Sequence, residues 1–222
     1  MKILIAAQYY RTGSTLVQRC LHACENTKIH GEMNSLLSAG LMLEKMGVTP
    51  EKTVSGDQVR LNKKSNWYDK IDDDYSMCIP HETLMNMYFS MPHYILGIQK
   101  DSPENIGFKC IGPTSEELHY AARLGFKIIW LTRDLKDATN SYLSQPWNHG
   151  IEMWANVKRR SDSVTPKFLE FLQDKEKAAA EVYKLDYSEI HEKIGEIIEA
   201  MGLRIEKEKL EAILANKVNS GY

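Results

Sequence analysis

The chain has 222 residues, a formal net charge of −2 and a charged fraction of 26%, so it has no overall basic field to recruit nucleic acid or an anionic membrane. No apolar run reaches the roughly 20 residues that cross a bilayer, and the stretch before Gln8 is too short for a signal peptide. The 4 cysteines form no CxxC pair, which favours reduced thiols. We therefore expect a cytoplasmic protein that forms one domain over residues 1–222.

Short apolar runs alternate with amphipathic patterns along the whole chain. The patterns predict strands at Ile3–Ala7, Ile29–His30, Gly107–Ile111, Phe126–Thr132 and Val182–Asp186. They predict helices at Leu16–Cys24, Ser35–Met46, His81–Met91, Thr114–Leu124, Asp134–Leu143, Ile151–Arg160, Pro166–Ala180, Ser188–Met201 and Lys207–Asn216. Because strands and helices alternate, the predicted fold class is α/β, a three-layer domain with helices on both faces of a mainly parallel sheet.

The first predicted strand runs directly into a loop that is typical of an anion site. Residues 8–15 lead into a helix, and backbone N–H groups at such a helix start bind phosphate-like groups. A Walker A motif would have glycine at position 8 and lysine at position 14, but the chain has Gln8 and Ser14. The cation within the loop is Arg11. The loop therefore predicts an anion site without the lysine of a nucleoside triphosphatase.

A second cation follows the predicted strand Phe126–Thr132. Ligands of open parallel sheets bind beyond the carboxyl ends of the strands, so Arg133 is expected at the same edge as the first loop. Ser141 lies eight residues later, about two helical turns on. A guanidinium fork and a hydroxyl suit a second phosphate. The alternative is that Arg133 pairs with Asp134 or Asp137 at the helix start and that Ser141 only packs.

Together these segments resemble the sulfotransferases that use 3′-phosphoadenosine-5′-phosphosulfate (PAPS). Residues 10–16 are similar to the family's 5′-phosphosulfate loop, and residues 131–142 to its 3′-phosphate motif. Residues 185–190, with 201–203, are similar to a third family segment. The chain departs from the family in two places: Tyr9 and Tyr10 replace the proline and the basic residue that lead into the loop, and the glycine-rich C-terminal loop is absent. Residues 33–106 match none of these motifs.

The resemblance implies a P-loop-type fold, PAPS as the donor, its desulfonated product PAP, and no metal. It implies that Arg11 contacts the phosphosulfate, that Arg133 and Ser141 bind the 3′-phosphate, and that Tyr187 lies near the adenine. It also implies that the 5′ side of the donor receives hydrogen bonds from Thr12, Gly13, Ser14, Thr15 and Leu16.

Sulfuryl transfer to a hydroxyl or amine requires a base that removes the acceptor's proton. Glu32 follows the first helix, where related sulfotransferases carry a glutamate that resembles the base, and it is the first candidate. His30 is the second, because histidine titrates near neutral pH. The alternative for Glu32 is a surface carboxylate at a turn.

The acceptor is expected to be a small molecule, a carbohydrate or a lipid, bound by residues 33–106 and 145–165. Two other functions remain open. One is a P-loop kinase, which would need Mg²⁺ and a lysine after Gly13. The other is a non-catalytic anion-binding protein of the same fold.

Overall fold

The structure, a computed structural model, describes residues 1–33, 36–38, 40–41, 104–145, 150–173 and 181–215. The chain divides into two compact units, residues 1–34 with 103–222, and residues 35–102. All strands among the described residues, and all residues proposed to contact the donor or to act as the base, belong to the first unit. The predicted helix His81–Met91 lies outside the described residues, and helical residues 36–38, 40 and 41 fall within the predicted helix Ser35–Met46. The expectation of a single functional domain stays a prediction.

The predicted fold class is confirmed, because the described residues form a parallel sheet flanked by helices. The 5 strands have the order β2-β3-β1-β4-β5. They are β1 (Lys2–Ala7), β2 (Thr27–Glu32), β3 (Asn105–Ile111), β4 (Phe126–Thr132) and β5 (Val182–Asp186). β1 lies at the centre, and the last residue of β1, Ala7, pairs with Ile111 and Leu131. The carboxyl ends of β3, β1 and β4 therefore meet at one edge of the sheet.

Helices cover both faces of this sheet. They are α1 (Ser14–His22), α2 (Ser115–Arg123), α3 (Leu135–Leu143), α4 (Ile151–Gln173), α5 (Ile190–Ala200) and α6 (Lys207–Ala215). Side chains Ile3, Ile5 and Ala7 of β1 are buried with residues of α1 and α5. Alternate side chains such as Leu4 point to the opposite face, and α2 packs against β4 and α4. No helix in the described part of the chain is long and apolar enough to cross a membrane.

The prediction of two helices, Ile151–Arg160 and Pro166–Ala180, is wrong in one respect. A single helix, α4, runs from Ile151 through Pro166 to Gln173. Proline inside a helix removes a hydrogen bond and costs about 3 kcal/mol. Packing outweighs that cost, because buried side chains lie on one face of α4 on both sides of the proline: Trp154, Ser161, Thr165 and Phe168.

The other helix boundaries agree with the sequence to within a few residues. Thr114 caps α2 and forms a capping box with Glu117, a helix-start signal that Thr114 and Glu117, three residues apart in the sequence, carry by themselves. The predicted helix Ser188–Met201 begins instead with a short 3₁₀ helix, Tyr187–Glu189, before α5. The three described cysteines, Cys20, Cys24 and Cys110, are free and buried.

Candidate functional site

The loop between β1 and α1 requires glycine at position 13, where the backbone has a positive φ and a side chain would have no room. Gly13 has φ +82° and is the N-cap of α1. A Cβ built on Gly13 would lie 2.4 Å from Ile190 Cδ1 and 3.0 Å from Tyr187 Cδ2. Arg11, with φ +65°, also lies in the left-handed region. Gly13 thus lets the loop turn sharply and approach the start of α5 closely.

The start of α1 keeps the character of an anion site. No side chain caps the helix, and its first turn contains no acidic residue. The dipole and the N–H groups of the first turn are therefore not neutralised by a local carboxylate. Ser14 is buried at this helix start and Thr15 is exposed.

Three of the five residues predicted to contact the donor have structural partners of their own; one of them, Thr15, accepts a hydrogen bond from Lys109 at 3.1 Å. The Thr12 hydroxyl is buried and donates to the carbonyl of Tyr9 at 3.3 Å, so its hydrogen is used inside the loop. The Leu16 side chain packs against the core between the sheet and α1. The backbone N–H groups remain the feature of these residues that suits an anion.

The structure brings Arg11, Arg133 and Ser141 together at the carboxyl edge of the sheet. Arg11 Nε donates to Ser141 Oγ at 3.0 Å, and Arg133 Nη1 donates to the Arg11 carbonyl at 2.7 Å. Burial, and then the charge of Arg133, lower the pKa of the Arg11 guanidinium. Two neighbouring guanidinium groups repel each other, and an anion bound between them would relieve that repulsion.

Arg133 lies beside Tyr187, and Asp134 serves another purpose. The Arg133 guanidinium carbon is 3.8 Å from the centroid of the Tyr187 ring. Arg133 Nε is buried and makes no hydrogen bond with any residue that the structure describes. The Asp134 carboxylate accepts from the Asp137 N–H at 3.0 Å and so caps α3. The alternative in which Asp134 neutralises Arg133 is therefore not favoured.

Arg133 also affects a nearby carboxylate, that of Asp186, whose pKa its charge helps to lower. Burial opposes its ionisation, but hydrogen bonds from Ser188 and Thr132, and then the charge of Arg133, lower the pKa of Asp186. Its oxygens accept from the Ser188 N–H at 3.0 Å, the Ser188 hydroxyl at 2.7 Å and the Thr132 hydroxyl at 3.0 Å. Asp186 is thus an element of the fold that joins the ends of β4 and β5.

A lysine that the sequence analysis missed reaches the loop from β3. Lys109 is only 8% exposed, and its Nζ donates to Thr15 Oγ1 at 3.1 Å. The same Nζ lies 3.3 Å from Glu32 Oε1. The signal was available in the sequence, because a lysine in an otherwise apolar strand is rarely buried without a charged or polar partner.

The two base candidates, Glu32 and His30, occupy different surroundings. The strand register shifts between His30 and Glu32, which breaks the alternation of side chains. The Glu32 side chain is 43% exposed and lies against Lys109. Burial, followed by the charges of Lys28 and His22, lowers the pKa of His30. Of the two, Glu32 is the residue that the structure brings next to the loop.

Aromatic rings support the loop from α3 and α4. Tyr10 stacks on Tyr142 with centroids 5.5 Å apart, and Tyr142 stacks on Trp154 at 5.2 Å. Tyr9 packs against Trp154 at 5.7 Å and donates its hydroxyl to Asp162 at 2.7 Å. The tyrosines that replace the family's lead-in sequence therefore anchor the loop to two helices.

Comparisons with known proteins leave the family unassigned. No protein-family model matches the chain, and no curated protein matches it. Among solved structures, the chain is similar to a retinol dehydratase in a complex with retinol and PAP, with 13% sequence identity and a TM-score of 0.42. The match covers 96% of this chain and 63% of that chain. Such a likeness is too low to assign a family or a ligand.

Proposed function

We propose that the protein is a sulfotransferase that moves a sulfuryl group from PAPS to a hydroxyl or amine acceptor. The observation that carries the proposal is the pair of guanidinium groups of Arg11 and Arg133: Arg133 donates to the Arg11 carbonyl, and Arg11 donates to Ser141. PAPS has two anionic ends, a 5′-phosphosulfate and a 3′-phosphate. Two arginines at one sheet edge, one in the glycine loop and one after β4, match that charge distribution.

The residues around the loop suit this donor in other respects. The α1 start, without a capping side chain, offers N–H groups to the 5′ phosphate, and Gly13 lets this loop pack closely against Tyr187 and Ile190. Arg133 Nε, buried without a described partner, suits the 3′-phosphate together with the Ser141 hydroxyl. Tyr187 lies on the same side. The fit therefore involves five separate features of the chain's own residues.

The proposed reaction is an in-line displacement at sulfur. An acceptor oxygen forms the new bond to sulfur, the bridging S–O bond breaks, and its electron pair stays on the 5′-phosphate oxygen. Glu32 accepts the acceptor's proton. Arg11 and Lys109 lie where they would stabilise negative charge on the bridging and sulfuryl oxygens. The acceptor itself stays a prediction, as a small molecule, a carbohydrate or a lipid.

One observation weighs against the P-loop kinase alternative. Thr15 stands where a Walker A motif has the hydroxyl that contacts Mg²⁺. In this chain the Lys109 ammonium donates to that hydroxyl at 3.1 Å. A fixed cation at this point repels a divalent ion. A donor that needs no metal fits the arrangement better than Mg²⁺–ATP.

Calorimetry with PAP tests the proposal. We expect PAP to bind the wild-type protein, and Arg133→Ala to lose about 10- to 100-fold in affinity, the range for charge-assisted hydrogen bonds. Arg123→Ala is the matched control, because Arg123 ends α2 at the opposite edge of the sheet and contacts Tyr120. If the wild type binds Mg²⁺–ATP more tightly than PAP, the kinase alternative replaces the sulfotransferase.

A further inference from the structure

We infer that Tyr187 is a positioning residue that holds Arg133 for the 3′-phosphate, instead of providing a stacking face for the adenine. The inference rests on the proposed donor. It assigns to Tyr187 a role different from the one that the sequence resemblance implies. The contacts between the ends of β4 and β5 carry the argument.

Strand register brings the two residues together. Thr132 and Asp186 are paired at the ends of β4 and β5, and the Thr132 hydroxyl donates to Asp186 Oδ2 at 3.0 Å. Arg133 and Tyr187 are the next residues along each strand. Asp186 also accepts from the Ser188 N–H, which sets the first turn of the 3₁₀ helix that Tyr187 begins. The backbone on both sides is therefore fixed before the side chains meet.

One face of the Tyr187 ring is covered by Arg133. The distance of 3.8 Å between the guanidinium carbon and the ring centroid is well inside the roughly 6 Å limit of a cation–π contact. An adenine cannot stack on a face that a guanidinium already covers. The edge of the ring is also close to the loop, since a Cβ on Gly13 would lie 3.0 Å from Cδ2 and 3.3 Å from Cε2. The ring thus lies between Arg133 and the phosphate loop, while Tyr187 as a whole is 42% exposed.

Arg133 needs such support because its polar contacts are few. Its Nη1 donates to the Arg11 carbonyl at 2.7 Å, while its Nε is buried without a hydrogen bond to any described residue. A long side chain with one anchor can adopt several rotamers, and ordering it costs entropy. The Tyr187 face removes that freedom and leaves Nε in place for an anion.

The test compares PAP with adenosine 5′-monophosphate, which lacks only the 3′-phosphate. The dissociation constant of the monophosphate divided by that of PAP measures how much the 3′-phosphate contributes to affinity. In Tyr187→Leu we expect this ratio to fall by about 3- to 30-fold, the range for a cation–π contact, while affinity for the monophosphate changes little. Tyr187→Phe should keep the ratio at its wild-type value, because it keeps the ring and removes only the hydroxyl.

Three further variants make the test specific. In an Arg133→Gln background, Tyr187→Leu should no longer change the ratio, because the residue through which Tyr187 acts is gone. Tyr183→Leu, on β5, is the control and should leave the ratio at its wild-type value. Tyr187→Met, with a side chain of similar reach, replaces Tyr187→Leu if that variant does not fold.

The outcomes separate this inference from the proposed function. If Tyr187→Leu weakens both nucleotides equally, Tyr187 acts on the adenosine part and the inference is wrong while the donor stands. An unchanged affinity for both nucleotides also overturns it. If the wild type shows no preference for PAP over the monophosphate, the proposed donor fails, and the inference fails with it.

Discussion

The contact between Lys109 and Glu32 determines where the proposed base lies. The Lys109 ammonium is 3.3 Å from Glu32 Oε1 and 3.1 Å from Thr15 Oγ1, so one buried cation joins the base candidate to the phosphate loop. The Glu32 side chain is 43% exposed, which leaves it open to an acceptor. The pair therefore places a proton acceptor and a charge stabiliser beside the same loop.

Glu32→Gln tests the base at the residue scale. The amide keeps the size of the side chain but accepts no proton, so we expect the rate of sulfuryl transfer to fall about 10²- to 10⁴-fold. PAP affinity should change little, because Glu32 contacts Lys109, whereas the proposed phosphate contacts come from Arg11 and Arg133. The measurement is single-turnover transfer from labelled PAPS to the best acceptor among simple phenols, glycosides and long-chain alcohols.

His30→Gln is the matched variant for this experiment. Burial lowers the pKa of His30, and the charges of Lys28 and His22 lower it further. We expect its transfer rate to stay within a few-fold of wild type. A Glu32→Gln protein with the full wild-type rate would exclude Glu32 as the base, and a large loss in His30→Gln would transfer the role to His30.

At the scale of elements, the loop and α3 are joined by two neighbouring contacts. Tyr10 stacks on Tyr142 with an interplanar angle of 27°. Their chain neighbours, Arg11 after Tyr10 and Ser141 before Tyr142, are joined by a hydrogen bond of 3.0 Å. The stack stabilises a loop in which Arg11 adopts a positive φ. The aromatic contact and the polar contact should therefore depend on each other.

Tyr10→Ala should weaken PAP binding without removing any group proposed to touch the donor. Loss of an aromatic pair costs about 0.5–1.5 kcal/mol, so we expect a loss of about 2- to 10-fold in affinity, with Tyr10→Phe close to wild type. The measurement is calorimetric titration with PAP, with the melting temperature of each variant recorded.

A control is needed for simple destabilisation. Thr114→Ala removes the cap of α2 and should cost about 1 kcal/mol of stability. If it lowers the melting temperature as much as Tyr10→Ala but leaves PAP affinity unchanged, the Tyr10 effect is local to the loop. Equal losses of affinity in both variants would show that Tyr10 acts only through global stability.

At the scale of the whole molecule, strand order decides which loops share the site. β1 lies between β3 and β4, so the loop after β1 meets the segment after β4 on one side and Lys109 of β3 on the other. Arg11 and Arg133 are far apart in sequence and become neighbours only through this order. The crossover that takes the chain from β1 to β2 leaves room for β3 between them.

The whole protein should lose stability as the pH falls. Burial is the largest cause that lowers the pKa of His30 and His119, so the folded state binds protons less readily than the unfolded state. Their contribution is complete above the unfolded value of about 6.5 and declines as the pH falls from there towards the lower folded values. Asp162 and Asp186, whose pKa values are also lowered, add a second loss at about pH 4 and below.

Thermal unfolding followed by circular dichroism measures this dependence. We expect a lower melting temperature at about pH 5.5 than at about pH 7.5. His119→Gln should reduce the difference between the two melting temperatures, because it removes one of the two half-buried histidines whose pKa is lowered. A melting temperature that rises as the pH is lowered from about 7.5 to about 5.5 would contradict the predicted loss of stability.

Structural features that depend on residues close together in the sequence could be predicted, and features that depend on tertiary packing could not. β4 was predicted with its observed bounds, Phe126–Thr132, because a continuous apolar run between turn signals is a local pattern. The capping box of Thr114 is likewise local. Pro166 misled the prediction of α4, because the packing that overrides a proline is not visible in the local sequence.

By itself, the sequence determined the α/β class, the lysine-free loop around Gly13, and the candidates Arg11, Arg133 and Ser141, since each depends on a short motif or a period. Only the tertiary structure decided that Ser141 contacts Arg11, that Lys109 joins Glu32 to the loop, and that Tyr187 covers Arg133. These contacts join residues that are distant in the chain. Strand order, strand register and the packing of helices on the sheet bring these residues into contact. A local sequence pattern does not specify which distant residues become neighbours.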